Sequence, residues 1–274
     1  MKIVSYNING IRAANKLGFL NWVKEENADI YCLQEVRASQ TICESILENC
    51  DYHVIYNCGQ RPGYSGTVTL TRYIPDNVEF GMGKEDTEGR TISLFFDDTV
   101  IINSYVPNGT NRLDYKLDYF ERLTTYVTEL AKEYNVILCS DINIAHTELD
   151  VSHPKENSGR SGYLPIEREI MTKMLACGFV DAYRTIHPEG KAYSWRSYRS
   201  RQVGGDFGWK FRFDYIITNE NNKDKIKSIT MPNLDYSDHL PVIGEIDVNT
   251  DNLKRFIATM KNKQLTMFDK NPKI

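Results

Sequence analysis

Two hydrophobic rhythms alternate along almost the whole chain, and they limit the possible folds more than any other feature. Short apolar runs at 2–6 (KIVSY), 30–34 (IYCLQ), 52–56, 67–71, 91–96, 100–105, 136–139 (VILC), 213–218 and 241–246 have the length and composition of strands. Between them, 17–27, 39–49, 113–134 and 165–177 carry apolar residues at helical spacing. The third of these places them at 113, 117, 120, 123, 127 and 130, and the fourth ends at Gly178. No Pro/Ser-rich linker divides this succession and no internal repeat marks it. One α/β domain over residues 1–250 is expected. Beyond Val248 the chain turns polar and lysine-rich, so 251–274 is expected to form a C-terminal tail.

Cysteine usage and charge narrow the class. The six cysteines, at 32, 43, 50, 58, 139 and 177, form no C-x-x-C pair and no zinc spacing, which points to a reduced protein rather than a disulfide framework. There is no run of about 18 apolar residues, and Met1 leads straight into the first strand without a signal peptide. A cytoplasmic protein that spans no membrane is expected. A net charge of −4 with a pI near 5.8 argues against indiscriminate binding to polyanions. It leaves room for a nucleic-acid enzyme, whose metal site needs acids and whose binding face needs only local basic charge.

Polar residues cluster just past the strand-like runs, where loops carry function. Asn7 and Asn9 follow the first run, Gln34 and Glu35 the second. Tyr105 and Asn108 end another, as do Asp141 and Asn143. Asp214 opens a run, and Asp238 and His239 precede the last. On adjacent strands these groups would meet at one rim. Convergent Asp, Glu, Asn and His are what metal-assisted phosphodiester hydrolysis requires. Mg²⁺ takes hard oxygen ligands, a carboxylate activates water, and amide and imidazole groups stabilise charge on phosphate oxygens. A lone strand-end acid is ordinarily a solvated cap, so the surrounding motifs must separate these residues from that background. Two long polar segments, 151–162 and 193–208, are further candidates for function.

Seven motifs occur in order: KIVSYNINGIR (2–12), LQEVR (33–37), GYSG (63–66), EGR (88–90), YVPNG (105–109), SDINIAH (140–146) and SDHLP (237–241). Together they resemble the exonuclease III family of AP endonucleases, over nearly the whole chain from Lys2 to about Ile246. The N, E, D-x-N and S-D-H elements are shared with a wider superfamily similar to DNase I. GYSG and YVPNG point to the abasic-site branch. The resemblance implies a four-layer α/β sandwich of the DNase I-like type: two packed mixed β-sheets flanked by helices, with the active site at one rim.

It also implies roles. Glu35 matches the principal Mg²⁺ ligand, with Mn²⁺ as a possible substitute. Asn7 matches a residue that orients the site and is grouped with the metal ligands, and Asn9 lies where relatives carry Asp or Asn. Asp141 matches the acid that positions and deprotonates water, and Asn143 a donor to the phosphate. His239 matches the imidazole beside the scissile phosphate, and Asp214 the carboxylate on its far nitrogen. Asp238 matches a residue near a second metal position, and Tyr105 a phenol on the phosphate. Asp141, Asn143, Asp238 and His239 are thus also candidate metal ligands. Either Tyr105 or Asp141 could serve as the base. His146 is read as structural, and His53, His153 and His187 have no catalytic context.

The implied substrate is duplex DNA with abasic sites or blocked 3′ ends. The expected activities are incision 5′ to the abasic site, 3′-phosphatase and 3′→5′ exonuclease, in base excision repair. Candidate DNA contacts are Asn9, Arg37, Tyr64, Arg90, Asn108, Asn157, Trp195 and Trp209. Lys155, Arg160 and the 193–212 segment join them. Residues 191–212 hold six basic residues against one acid, with Tyr193, Trp195, Tyr198, Phe207 and Trp209 interleaved. Trp195 lies where relatives line the abasic-sugar pocket. The family's G-W-R-[L/I]-D-Y segment appears as GWKFRFDY (208–215), two residues longer, so Trp209 or Phe211 could line that pocket. Asn111 and Arg112 compete for the place of an arginine that wedges into DNA. With no extension before the first strand, a compact bacterial- or archaeal-type monomer is expected. In the tail, Gln264–Phe268 (QLTMF) resembles the Q-L-x-x-F peptide that docks on the replication sliding clamp, in which two apolar anchors enter a pocket.

Overall fold

Alternating side chains sort each strand into two faces, and that sorting builds the molecule. The computed structural model describes residues 1–197 and 208–257. Its strands are β1 (Lys2–Asn7), β2 (Ile30–Gln34), β3 (His53–Asn57), β4 (Thr67–Thr71), β5 (Asn77–Phe80), β6 (Thr91–Phe96), β7 (Thr99–Tyr105), β8 (Asn135–Asp141), β9 (Phe179–Asp181), β10 (Trp195–Arg196), β11 (Lys210–Phe211), β12 (Asp214–Asn219), β13 (Ile226–Thr230) and β14 (Val242–Ile246). The helices are α1 (Ile11–Lys16), α2 (Phe19–Glu26), α3 (Gln40–Leu47), α4 (Leu113–Leu130), α5 (Pro154–Asn157), α6 (Pro165–Ala176) and α7 (Ala182–Ile186).

One six-stranded sheet has the order β13-β14-β1-β2-β4-β3, the other β5-β6-β7-β8-β12-β9. Each is built around one parallel pair, β1–β2 and β7–β8, with antiparallel neighbours on both sides. Ile3, Ile30, Cys32, Ile101, Ile137, Cys139, Ile216 and Val242 turn inward and form the core between the sheets. Val4, Tyr6, Tyr31 and Leu33 turn outward, against Ile11, Phe19, Trp22 and Cys43 of α1–α3. Val100, Ile102, Val136 and Leu138 turn outward from the second sheet, against Phe120, Leu123, Val127 and Met171 of α4 and α6. The order helix, sheet, sheet, helix is the four-layer mixed-sheet sandwich expected from the sequence. Each fully buried branched side chain in these layers stabilises the fold by about 1.5–3 kcal/mol.

The two sheets are also joined by a polar bolt. Gln34 Nε2 donates to Asn103 Oδ1 (2.9 Å), and Asn103 Nδ2 donates back to Leu33 O (3.2 Å), Val68 O (3.1 Å) and Thr69 Oγ1 (3.1 Å). Hydrogen bonds that reach across the buried sheet interface in this way fix one register between the sheets.

Several elements differ from the sequence expectation. The helix expected over 17–27 is α2, and an unexpected short helix, α1, precedes it, separated from it at Gly18, which holds φ 99°. β5 and β13 lack a continuous apolar run, because each is an edge strand with alternate residues open to solvent. The chain also stays attached beyond residue 250. Ile74 N donates to Lys254 O (2.8 Å) and Phe256 N to Arg72 O (2.7 Å). The clamp-like peptide Gln264–Phe268 lies outside the described residues, as do Tyr198, Arg199, Arg201 and Phe207. Among the described residues no helix is long and apolar enough to cross a membrane.

Candidate active site

The site begins as a continuation of the inward-facing columns. On β8 the column Ile137, Cys139 ends in Asp141; on β7, Ile101 and Asn103 end in Tyr105. On β1, Ile3 and Ser5 end in Asn7, and on β12 Asp214 precedes Ile216. Strand parity therefore carries four polar side chains to one end of the inter-sheet core. Register brings them level: Tyr105 pairs with Asp141 across β7–β8, and Asp214 pairs with Asp141 across β8–β12.

The loops that complete the site are strained. Asn9, Glu35, Arg37, Ser65 and Asn143 all hold left-handed backbone, with φ between 45° and 58°. Each such non-glycine residue costs on the order of 1–3 kcal/mol, and the surrounding structure must hold it in place. Gly10 N donates to Glu35 O (2.8 Å), Val36 N to Gly66 O (3.1 Å) and Arg37 N to Ser65 O (2.9 Å). Gly66 is required here: at φ 87° an added Cβ would lie 2.8 Å from Val36 Cγ2.

Asn7 is the junction. Its Nδ2 donates to Glu35 Oε2 and to Asp141 Oδ2, both at 2.8 Å, and its Oδ1 accepts from Asn9 N (3.0 Å). Asp141 also accepts from Asn143 N (2.9 Å) and Asn143 Nδ2 (3.2 Å). On its other side stands His239, with Nε2 4.0 Å from Asp141 Oδ2 and Nδ1 2.7 Å from Asp214 Oδ2. Asp214 is fixed in turn by its backbone N–H, which donates to Ser194 Oγ (3.0 Å).

Electrostatics follow from this crowding. Burial alone would lower the His239 pKa, but the charges of Asp214, Asp141 and Asp238 and the Asp214 hydrogen bond outweigh it and push it up to about 10. Burial, and next the charge of Asp214, push the Asp141 carboxyl up to about 7, against the pull of His239 and Asn7. Burial and then the charges of Glu35 and Asp141 push Tyr105 far above the ordinary phenol range. Burial would raise Asp238, yet His239 and the hydrogen bonds from Asn9 and Trp195 hold it below the usual value.

The donor set suits a hard divalent cation on its oxygen-rich side. Glu35 and Asp141 are bridged by one amide, and the buried Oδ1 of Asn9 has no hydrogen-bond partner. Asp141, Asp214 and His239 also bring ligand atoms within 4.8 Å of one another. The short Nδ1–Asp214 contact, however, makes that trio an oriented imidazole beside a carboxylate rather than a metal cage. Both oxygens of Asp238 are engaged, by Asn9 Nδ2 (2.7 Å) and Trp195 Nε1 (3.1 Å).

Two expected DNA contacts, Arg90 and Asn157, need correction. Arg90 is buried: its guanidinium donates to Glu88 Oε2 (2.6 Å), Tyr105 O (2.9 Å) and Tyr64 Oη (3.2 Å), and lies over the Tyr105 ring. It braces two rim tyrosines from behind. Asn157 is also buried, its amide spanning Ser152 O (2.8 Å) and His153 O (3.1 Å), so it shapes the α5 turn. Trp209 is 39% exposed and stands apart from the aromatic cluster in which Trp195 meets Phe211 and Phe213 at 5.7 Å each. Of the two pocket candidates, Phe211 is the one beside Trp195. Asn108 is exposed, with Nδ2 donating to Asn143 Oδ1 (3.3 Å), and Arg37 is ion-paired with Glu35. Arg112 is tied to Glu88 and Tyr64, which leaves Asn111 exposed beside it.

One supporting pair was not anticipated. Lys116 Nζ, fully buried, donates to Asn143 O (2.7 Å) and Glu167 Oε1 (2.6 Å), while Glu167 Oε2 accepts from Gly162 N (2.6 Å) and Leu164 N (3.0 Å). The signal was a lysine on the apolar face of α4, one turn before Phe120.

Residues 4–239 match the Endonuclease/Exonuclease/phosphatase family. An exodeoxyribonuclease of Bacillus subtilis is 40% identical over 250 residues, covering 88% of this chain and 98% of its own length. The DNA repair nuclease APEX1 of Danio rerio is 36% identical over 256 residues, covering 88% and 81%. Among solved structures, an AP endonuclease from Archaeoglobus fulgidus superposes with a TM-score of 0.81 at 28% identity, over 90% of this chain and 100% of that one. A 3′-5′ exonuclease from Neisseria meningitidis gives 0.82 at 26% identity, over the same shares.

Proposed function

Because the chain belongs to the Endonuclease/Exonuclease/phosphatase family, on its exonuclease III and AP endonuclease branch, we propose that this nuclease is a Mg²⁺-dependent DNA-repair enzyme. It hydrolyses the phosphodiester 5′ to abasic sites in duplex DNA, and it removes 3′-terminal phosphates and nucleotides. One observation carries the reading. The Asp141 carboxylate accepts from Asn7 and Asn143 and stands 4.0 Å from an imidazole that Asp214 orients.

Asp141 positions the attacking water and takes its proton. Its raised pKa suits a base that works near neutrality. Tyr105 keeps its proton and serves as a donor to phosphate oxygen, which favours Asp141 as the base. His239, held as imidazolium by Asp214, and the Asn143 amide face the charge that builds on the phosphate. Glu35 and the facing Asp141 oxygen, with Asn7 and Asn9, would hold the cation, which when bound neutralises phosphate charge and stabilises the leaving oxygen. The Trp195–Phe211–Phe213 cluster offers an apolar wall for the base-free sugar.

The test is a duplex bearing one abasic analogue beside an intact control, with Mg²⁺ and with chelator. Metal-dependent incision at the abasic position alone, lost in Asp141→Asn and His239→Ala, is expected. Equal cutting of the intact duplex would replace this reading with a general nuclease. The tail peptide Gln264–Phe268 is proposed to dock on a sliding clamp. Deleting the residues after Lys261 should abolish clamp pull-down and spare incision, and unchanged pull-down would sink that proposal.

A further inference from the structure

Residues 209–213 run extended between two neighbours. Ser197 N donates to Trp209 O (3.0 Å) and Trp195 pairs with Phe211 on one side. On the other, Ser152 N donates to Lys210 O (2.8 Å) and Arg212 N to Asp150 O (2.7 Å). Alternation puts Trp209, Phe211 and Phe213 on one face of this ribbon. Phe213 and Phe211 stack at 4.8 Å with 17° between planes, and both are buried. Trp209 continues the row outward and is the one exposed tryptophan among the described residues. Had it only to cover the cluster, it would bury itself as its two neighbours do.

The Arg160 guanidinium lies over the Trp209 ring, 3.6 Å from its centroid, and its Nε donates to Glu156 O (3.4 Å). Arginine on one face of an indole holds the ring upright and brings positive charge to its edge. Lys155 and Glu156 lie in the same short α5 segment that leads to Arg160, while Arg196 and Lys210 pair across β10–β11 on the opposite face of the ribbon. A flat, exposed aromatic surface backed by the Arg160 cation suits a flat ligand on a polyanionic backbone. We propose that Trp209, held by Arg160, is a stacking platform for an unpaired nucleobase, outside the pocket formed by Trp195, Phe211 and Phe213. The strand that supplies this base is single-stranded DNA, as at a frayed or overhanging end. The proposal rests on the nuclease reading only for the identity of the polymer.

The experiment measures binding in chelator, so that nothing is cut. A labelled thymidine decanucleotide is compared with a strand of equal length whose sugars all lack bases. The wild-type protein should bind the base-bearing strand more tightly. Trp209→Ala should weaken that binding about tenfold, the scale of one base–aromatic stack, and should leave the base-free strand nearly unaffected. Trp209→Phe should keep most of the preference. Should Trp209→Ala fail to fold, Arg160→Met gives an independent reading. A larger loss on the base-bearing strand supports the platform. Equal loss on both strands makes Arg160 a phosphate contact alone and overturns it. A wild-type protein without base preference, or a Trp209→Ala protein that keeps it, also overturns it. Failure of the nuclease reading would show elsewhere, as no incision of an abasic duplex with Mg²⁺.

Discussion

Asp214 does its work through another residue. Its Oδ2 fixes His239 Nδ1 at 2.7 Å, and its charge is the largest influence holding that ring protonated against burial. Asp214→Asn keeps the shape but removes the charge. It should lower kcat by about 100- to 10,000-fold and leave KM nearly unchanged, as read in steady-state incision assays. A loss under tenfold would remove the orienting role. At this scale the sequence was most readable where a residue ends a strand. Asn7, Tyr105, Asp141 and Asp214 stand at one end of the inter-sheet core because parity fixes the direction of their side chains. It was least readable where direction depends on a distant partner. Arg90 looks like a phosphate ligand in EGR, yet Glu88, Tyr64 and Tyr105 draw it inward. The choice between Trp209 and Phe211 likewise waited on the pairing of Phe211 with Trp195.

Elements hold the site through buried charge. α4 contributes Lys116 and α6 Glu167, and together they clamp the carbonyl of Asn143, whose backbone is left-handed at φ 56°. Lys116→Met would leave Glu167 buried without its partner. We expect a loss of about 3–5 kcal/mol in urea unfolding, and a loss below about 1 kcal/mol would mean that the backbone donors alone satisfy Glu167. Behind the aromatic ribbon a second network links Asp150 with Arg212 (2.8 Å) and Arg184, and Arg212 with Asp181 (2.6 Å). Burial alone would raise the Asp150 pKa, but the two arginines and the Thr147 backbone bring it down to about 2. The folded value lies below that of an unfolded aspartate, near 3.9. The group therefore stabilises the fold above about pH 4, by about 2–3 kcal/mol, and this is lost as pH falls toward 2. Acid unfolding of Asp150→Asn should lack that increment between pH 4 and 2, and an unchanged slope would contradict it. Neither network was visible in the sequence, since charged pairs 51 and 62 residues apart leave no local pattern.

Across the whole molecule, the site belongs to neither sheet. Asn7 and Glu35 come from β1 and the turn after β2; Tyr105, Asp141 and Asp214 come from β7, β8 and β12. The interleaved rhythms made the layers readable. They could not specify how the sheets face each other, which depends on contacts such as Gln34–Asn103 that join residues 69 apart. A cation held between Glu35 and Asp141 would therefore tie the two sheets together, and binding free energy would add to folding free energy. At a metal concentration about 100 times its Kd the gain is about 2.7 kcal/mol, enough to raise Tm by about 5–10 °C in a chain of this length. Thermal unfolding followed against Mg²⁺ concentration should show that rise in the wild-type protein and lose it in Glu35→Gln. Asp214→Asn, which alters the imidazole side of the rim, should retain it. An equal rise in Glu35→Gln would move the cation away from Glu35. A rise lost in Asp214→Asn but kept in Glu35→Gln would place it among Asp141, Asp214 and His239, on one sheet and the loop before β14, and no metal bond would then join Glu35 of the first sheet to Asp141 of the second.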